Sequence, residues 1–105
     1  MKIIWSKFAA EKLKEIFDYY KNKVSIRVAH KIKKSIFYST KQLIKNPRLG
    51  QCEPLLENLG EGHRYIVSGN YKIIYREIAE GILITDVFDT RQNPIKLEQH
   101  HNSDE

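Results

Sequence analysis

Four cationic side chains lie in the second half of the chain, where bases are few, and could act on an anion. They are Arg64, Lys72, Arg76 and Arg91. Arg64 begins one predicted strand and Arg91 follows the last, while Lys72 and Arg76 lie between them on a shared strand face. Because neighbouring antiparallel strands hold side chains close together, several of these cations could converge. Such a cluster could bind a phosphate or a carboxylate, since Arg presents a forked array of donors.

These cations have a second interpretation, as solvated side chains on the outer face of a sheet. Three acids of the same region could pair with them: Glu77, Asp86 and Asp89. The positions of Arg64 and Arg91 at strand ends favour a functional role. For Lys72 and Arg76 both interpretations stay open.

A second candidate surface is one face of a long predicted helix that ends before Asn46-Pro47. Its residues are Arg27, Lys31, Lys34, Tyr38, Lys41 and Lys45. The other five lie within about 40° of Arg27 on a helical wheel. A solvated face usually mixes both signs of charge, whereas this one contains no acid. It could bind phosphates or an acidic protein segment, and the alternative is a face that only aids solubility.

The sequence lacks the common motifs of cofactor and metal chemistry. It has no Gly-rich phosphate loop, no HExxH and no GxSxG. The four histidines, including His100 and His101 in the tail, do not have the spacing of metal ligands. Cys52 is the only cysteine, so neither an intrachain disulfide nor a thiolate cluster can form, and a reducing cytoplasm is the expected compartment. We therefore predict no metal and no cofactor.

The elements that must position these residues follow from the hydrophobic pattern. A short apolar strand at residues 2–5 precedes two closely spaced helices, with Ser6 and Ser25 as N-caps. Three strand-like segments follow, separated by tight turns: residues 63–68, 71–78 and 82–89. The order β-α-α-β-β-β predicts an α+β domain, with an N-terminal helical hairpin packed on a small antiparallel sheet. We expect one domain over residues 1–94 and a polar, loosely ordered tail over residues 95–105.

Length and charge limit the class of protein further. With 105 residues, the chain has room for one ordinary domain. Residues 1–50 hold 13 lysines and arginines against three acids, a net charge of +10, whereas residues 51–105 carry −5. No apolar run approaches the ~20 residues that span a bilayer, so we predict no membrane association. The positive charge belongs to the helical half, and its partner could be nucleic acid or an acidic protein.

Four segments, in the same order, resemble those of the RelE/ParE toxins of bacterial type II toxin–antitoxin systems. The first is the opening strand with Trp5-Ser6 and the apolar stripe of the first helix, and the second is LIKNPRLG at residues 43–50. The third is HRYIVSGNYKIIY at residues 63–75, and the fourth is ITDVFDTR at residues 84–91. The resemblance covers about residues 3–94 and implies the fold predicted above.

The resemblance also implies partners and site residues. A cognate antitoxin would neutralise the toxin with a C-terminal segment, and an acidic segment would suit the basic half. RelE-like members cleave mRNA on the ribosome, with Arg and Lys stabilising the transition state, whereas ParE-like members inhibit DNA gyrase by binding. In a ribonuclease, Arg64, Lys72 and Arg91 would be the catalytic residues. In either branch they would contact target or antitoxin. The residue pattern itself adds Arg76 and the basic helix face to these candidate binding residues.

The segment after Arg91 departs from the ribonuclease pattern. It reads QNP at residues 92–94, where the ribonucleases offer a Tyr or a His as general acid or base. Without that group, cleavage loses a contribution of roughly 10²–10⁴-fold. The departure favours a ParE-like toxin that inhibits DNA gyrase without being an enzyme. A RelE-like, ribosome-dependent mRNA endoribonuclease is the alternative, and an interaction domain without toxicity is a third reading.

Overall fold

The first half of the chain folds into a short strand and a helical hairpin. In the computed structural model, which describes residues 1–104, these elements are β1 (Lys2–Trp5), α1 (Lys7–Lys23) and α2 (Ile26–Lys45). The side-chain oxygens of Ser6 and Ser25 accept hydrogen bonds from backbone N–H groups three residues on, at 3.0 and 3.1 Å. α2 ends at Lys45, directly before Asn46-Pro47, because a residue before proline disfavours the helical region. The predicted hairpin and both predicted caps are confirmed.

The second half forms most of a five-stranded sheet. Its elements are β2 (Gln51–Cys52), a 3-10 helix (Pro54–Leu59), β3 (Arg64–Ser68), β4 (Tyr71–Ile78), β5 (Gly81–Asp89) and α3 (Ile95–Asp104). The strand order is β1-β5-β4-β3-β2. The α+β prediction is confirmed, but the sheet is mixed and not purely antiparallel, because β1 pairs with β5 in the parallel direction. The β3–β4–β5 meander leaves one edge of β5 open, and β1 fills that edge.

The helical hairpin covers one side of the sheet, here called the inner face. Its core joins Leu13 of α1 and Ile36 and Leu43 of α2 to the strands. Alternate residues of β4, namely Tyr71, Ile73 and Tyr75, point to this side and are buried. This period-two alternation places the intervening residues of β4 on the opposite side.

The other side of the sheet, the outer face, has a smaller core of its own. Ile74 and Phe88 of the sheet pack there against Leu56 of the 3-10 helix and Leu97 of α3. The expectation of a loosely ordered tail is therefore wrong for the described part of residues 95–104, because Leu97 is only 1% exposed. Residue 105 of that tail lies outside the described residues, and the domain boundary at 94 stays a prediction.

The pairing of β4 with β5 contains an irregularity. Ile74 pairs with Asp86, but the next residue, Tyr75, pairs with Ile84. Thr85 is thus an extra residue on β5, as in a β-bulge, which bends a strand and redirects its side chains. Both Thr85 and Asp86 are buried polar residues, and both hydrogen-bond to histidines of α3.

Candidate functional site

The four cations of the second half do not come together. Arg64 pairs with Tyr75 across the sheet, and directly opposed residues of antiparallel strands lie on the same face. Arg64 therefore shares the inner face with Tyr75, whereas Lys72 and Arg76 alternate with the buried inner-face residues and lie on the outer face. Arg91 follows β5 beside residues of α1, on the inner side.

Arg64 supports the loop that follows α2. Its guanidinium donates to the carbonyl oxygen of Gly50 at 2.8 Å. The buried hydroxyl of Tyr75 donates to the carbonyl of Pro47 at 2.8 Å and accepts from the N–H of Gly50 at 2.9 Å. A Cβ on Gly50 would lie 2.5 Å from the carbonyl oxygen of Tyr65, so only glycine fits. These contacts give Arg64 a structural role in fixing the LIKNPRLG segment.

Lys72 is held in a buried ion pair. Its Nζ donates to Oε1 of Glu53 at 2.7 Å and lies 4.1 Å from the centroid of the Tyr65 ring. The Glu53 side chain is 1% exposed and that of Lys72 22%. The second carboxylate oxygen of Glu53 accepts from the N–H of Leu55 at the start of the 3-10 helix. The ammonium group thus compensates a buried carboxylate and has little freedom to reach a ligand.

Arg91 is the most accessible of the four cations, with 58% of its side chain exposed. Two guanidinium nitrogens donate to the two carboxylate oxygens of Asp89, at 2.9 and 2.8 Å. Hydrogen bonds from Arg91 lower the pKa of Asp89, and hydrogen bonds to Asp89 and Tyr20 raise the pKa of Arg91. Arg91 lines a cavity of about 390 Å³ with residues of α1, among them Lys12 and exposed Tyr19.

The basic face of α2 is open to solvent along its whole length. All six of its residues are exposed, with Tyr38 at 67%. They are Arg27, Lys31, Lys34, Tyr38, Lys41 and Lys45. Within the described part of the chain, none of the five cations has an ion-pair partner, and α2 contains no acid. The opposite face of α2 packs on the sheet, so this face is free to bind a partner.

Sequence reasoning missed a cluster of buried polar groups on the outer face. Nδ1 of His100 lies 2.8 Å from Oδ2 of fully buried Asp86, and Nε2 of His101 lies 2.8 Å from the hydroxyl of Thr85. His63 packs edge-on to His101 at 5.1 Å, and burial together with His101 lowers its pKa to about 4. One signal in the sequence was Ile74, an apolar residue between Lys72 and Arg76 on the same face of β4, since an apolar residue there indicates that part of this face is covered.

The cluster is not a metal centre by its donor set. Among residues 1–104, no three His, Cys, Asp or Glu side chains are placed to share a metal ion. Both ring nitrogens of His63 and one carboxylate oxygen of Asp86 are buried without a protein hydrogen-bond partner.

A separate question is whether the chain could cross a membrane. Among the described residues, no helix is long and apolar enough to span a bilayer.

A helical hairpin on a small sheet is the architecture that the resemblance to RelE/ParE toxins implied. The family model of the ParE toxin of type II toxin–antitoxin system, parDE, matches residues 3–94. The chain therefore belongs to the ParE toxin family.

A solved structure shares the fold. It belongs to the chromosomal ParDE TA system from P. aeruginosa and superposes with a TM-score of 0.71. The alignment covers 85% of this chain and 95% of that chain at 22% sequence identity. A search of curated proteins gives no match.

Proposed function

We propose that this chain is a ParE-type toxin that inhibits DNA gyrase by binding, and that a cognate antitoxin neutralises it. Membership of the ParE family supports the toxin role. The observation that carries the choice of mechanism is the division of the cations between two faces of the sheet. Arg64 and Arg91 lie on the inner side, Lys72 lies on the outer face, and each is already bound to a protein oxygen.

Ribonuclease chemistry demands a different arrangement. Several cations must surround one scissile phosphate, and a general acid or base must lie within hydrogen-bond reach of it. In the described residues, His100 is the partly exposed imidazole nearest to the closing segment, but it lies on the outer face against Asp86. It is therefore separated by the sheet from Arg64 and Arg91, which supports binding over cleavage.

The basic face of α2 is the surface that we propose for the antitoxin. α2 contains no acid and its five cations have no ion-pair partner among the described residues, so an acidic segment laid along it would meet charge of one sign over the length of the helix. Exposed Tyr38 lies in the middle of this face and offers an aromatic contact of the kind enriched in interfaces. Because the cations are exposed, much of this attraction will be screened by salt.

Two assays separate the target hypotheses. Purified chain is added to a gyrase supercoiling assay and to a ribosome-dependent translation mixture with end-labelled mRNA. We expect inhibited supercoiling or stalled gyrase–DNA complexes, and intact mRNA. Codon-specific mRNA cuts by the purified chain, with supercoiling unaffected, would instead establish the RelE-like alternative.

The antitoxin surface is tested with matched charge changes on the two helices. Replacing Lys31, Lys34 and Lys41 of α2 by Gln should weaken antitoxin binding at least roughly 10-fold at low salt and leave the fold intact. The control replaces Lys14, Lys21 and Lys23 of α1, an equal loss of charge on the other helix. Equal losses of affinity in both triple variants would show that only net charge matters and not the α2 face.

A further inference from the structure

A groove on the outer side of the sheet contains none of the three residues that the resemblance assigned to cleavage. The first turn of α1, from Ser6 to Phe8, forms one wall, and α3 forms the other with His100 and His101. Its floor includes Arg76, Leu83 and Thr85 of the sheet. The groove encloses about 480 Å³, within the roughly 300–1,000 Å³ typical of small-molecule sites.

His100 is held in one orientation at the edge of this groove. Its Nδ1 lies 2.8 Å from a carboxylate oxygen of Asp86, which is fully buried and can only accept when ionised. The ring of Phe8 packs against the imidazole, with the centroids 4.9 Å apart. In the protonated imidazole both nitrogens donate, so Nδ1–H donates to the Asp86 carboxylate and Nε2–H is left as a donor that an anionic ligand can meet.

Two cationic side chains, Arg76 and Lys7, line the same groove. Nε of Arg76 is buried without a hydrogen-bond partner among the described residues. Lys7 lies in the first turn of α1, where backbone N–H groups have no intrahelical acceptor and the helix dipole favours an anion. The first turn contains no acid, and Glu11 is the one carboxylate among the residues that line the groove. Positive charge and donors therefore prevail.

We propose that this groove binds a small phosphate monoester, with the phosphate held by Arg76, Lys7 and Nε2 of His100. The forked guanidinium matches the geometry of phosphate oxygens, and Lys7 and the α1 terminus add a second positive wall. The groove is larger than a bare phosphate ion requires, and the apolar side chains of Phe8 and Leu83 are placed to contact the organic part of the ligand. The site is independent of the toxin's target and goes beyond the proposed function.

The experiment is a titration of the isotope-labelled full chain with three probes, followed by amide chemical shifts. The probes are inorganic phosphate, adenosine 5′-monophosphate and adenosine. We expect both phosphates to shift groove amides, the nucleotide to bind more tightly than phosphate, and adenosine to leave the spectrum unchanged. Arg76→Gln should weaken nucleotide binding roughly 10- to 100-fold, because a charge-assisted hydrogen bond is lost.

Two further variants keep the test decisive. Lys7 is exposed, so Lys7→Gln tests the site without disturbing the core and should weaken binding several-fold. Lys21→Gln removes the same charge about 21 Å further along α1 and should leave binding unchanged. The proposal is overturned if no probe shifts groove amides, if adenosine binds as well as the nucleotide, or if Lys7→Gln and Lys21→Gln behave alike.

Discussion

The inner and outer faces of the sheet are built on different principles. The inner face is a continuous apolar core between two long helices and four strands, with Ile36, Ile73 and Ile84 fully buried. The outer face has a small apolar patch around Leu97, surrounded by buried histidines and carboxylates under one short helix. Stability is therefore concentrated on the inner side. Polar groups that could bind a ligand or sense pH are concentrated on the outer side.

Truncating one buried residue on each face gives the largest effect and a direct test of this contrast. Ile36→Ala should lower the free energy of unfolding by about 4 kcal/mol, since the rigid inner core cannot close the cavity. Leu97→Ala should lower it by about 2 kcal/mol, because α3 can detach locally before the domain unfolds. Urea denaturation measures both values, and hydrogen exchange of α3 should accelerate only in Leu97→Ala. Equal losses of stability would mean that α3 belongs to the main cooperative unit.

The buried ion pair of the outer face provides the second test. Lys72→Met leaves the carboxylate of Glu53 buried and uncompensated, so the free energy of unfolding should fall by about 3 kcal/mol. Adding Glu53→Gln to that variant should restore most of the loss. Thermal denaturation of the single and double variants measures this coupling. Unchanged stability of Lys72→Met with loss of toxicity would instead give Lys72 a functional role.

The inner core and the caps followed from sequence, whereas this ion pair did not. Ser6, Ser25 and Pro47 act through neighbours a few residues away, so local patterns predicted the helices and their ends. Glu53 and Lys72 meet only after the irregular segment between α2 and β3 has folded, and no spacing rule anticipates such a contact. The placement of Arg64 and Lys72 on opposite faces of the sheet likewise depends on the pairing register of β3 and β4. A shift of that register by one residue would move every side chain of a strand to the other face.

α3 escaped prediction for a related reason. Only Ile95 and Leu97 are apolar in a segment that otherwise reads as polar, so it has no helical stripe. Its start is set by Asn93, whose side-chain oxygen accepts from the N–H of Ile95 at 3.1 Å, and its position by contacts with β5. His100 and His101 hydrogen-bond to Asp86 and Thr85 of β5. The residues next to these histidines in the sequence do not indicate such contacts.

Acid should weaken the outer face in particular, because the buried imidazole of His63 lies there. The pKa of His63 falls from 6.5 to about 4 on folding, so the unfolded chain binds more protons between these values. The contribution of His63 to stability is therefore complete above pH 6.5 and is lost as the pH falls towards 4, by roughly 3 kcal/mol. The charged and titratable groups around His63 are His101, Glu61, Arg76 and Glu53.

The measurement is the urea midpoint of the parent chain and of His63→Gln between pH 7.5 and 4. Other carboxylates titrate at the acid end, so the difference between the two proteins is the relevant quantity. We expect the variant to lose less stability than the parent on acidification. If the urea midpoints of the two proteins fall in parallel as the pH is lowered, protonation of His63 does not destabilise the fold, and the outer face must relax around the charged imidazole.

The smallest effect on stability is expected at Arg91. Its ion pair with Asp89 is solvent-exposed, and exposed pairs contribute little to folding. Arg91→Ala should leave the denaturation midpoint unchanged, and any loss of gyrase inhibition can then be assigned to binding. Arg64→Ala is the informative counterpart, because it should lower the midpoint by releasing the loop at Gly50. A fall in the midpoint of Arg91→Ala would mean that the pair anchors the end of β5.

The parallel strand at the edge of the sheet determines when this protein can finish folding. Lys2 pairs with Gly81, where φ is +153° and a Cβ would collide with the carbonyl oxygen of Lys2. The contact closes a loop that runs from residue 2 to residue 81, and such non-local pairing slows folding. A ribosome must translate past β5 before β1 has a partner, so a truncated product ending before Gly81 cannot complete the sheet.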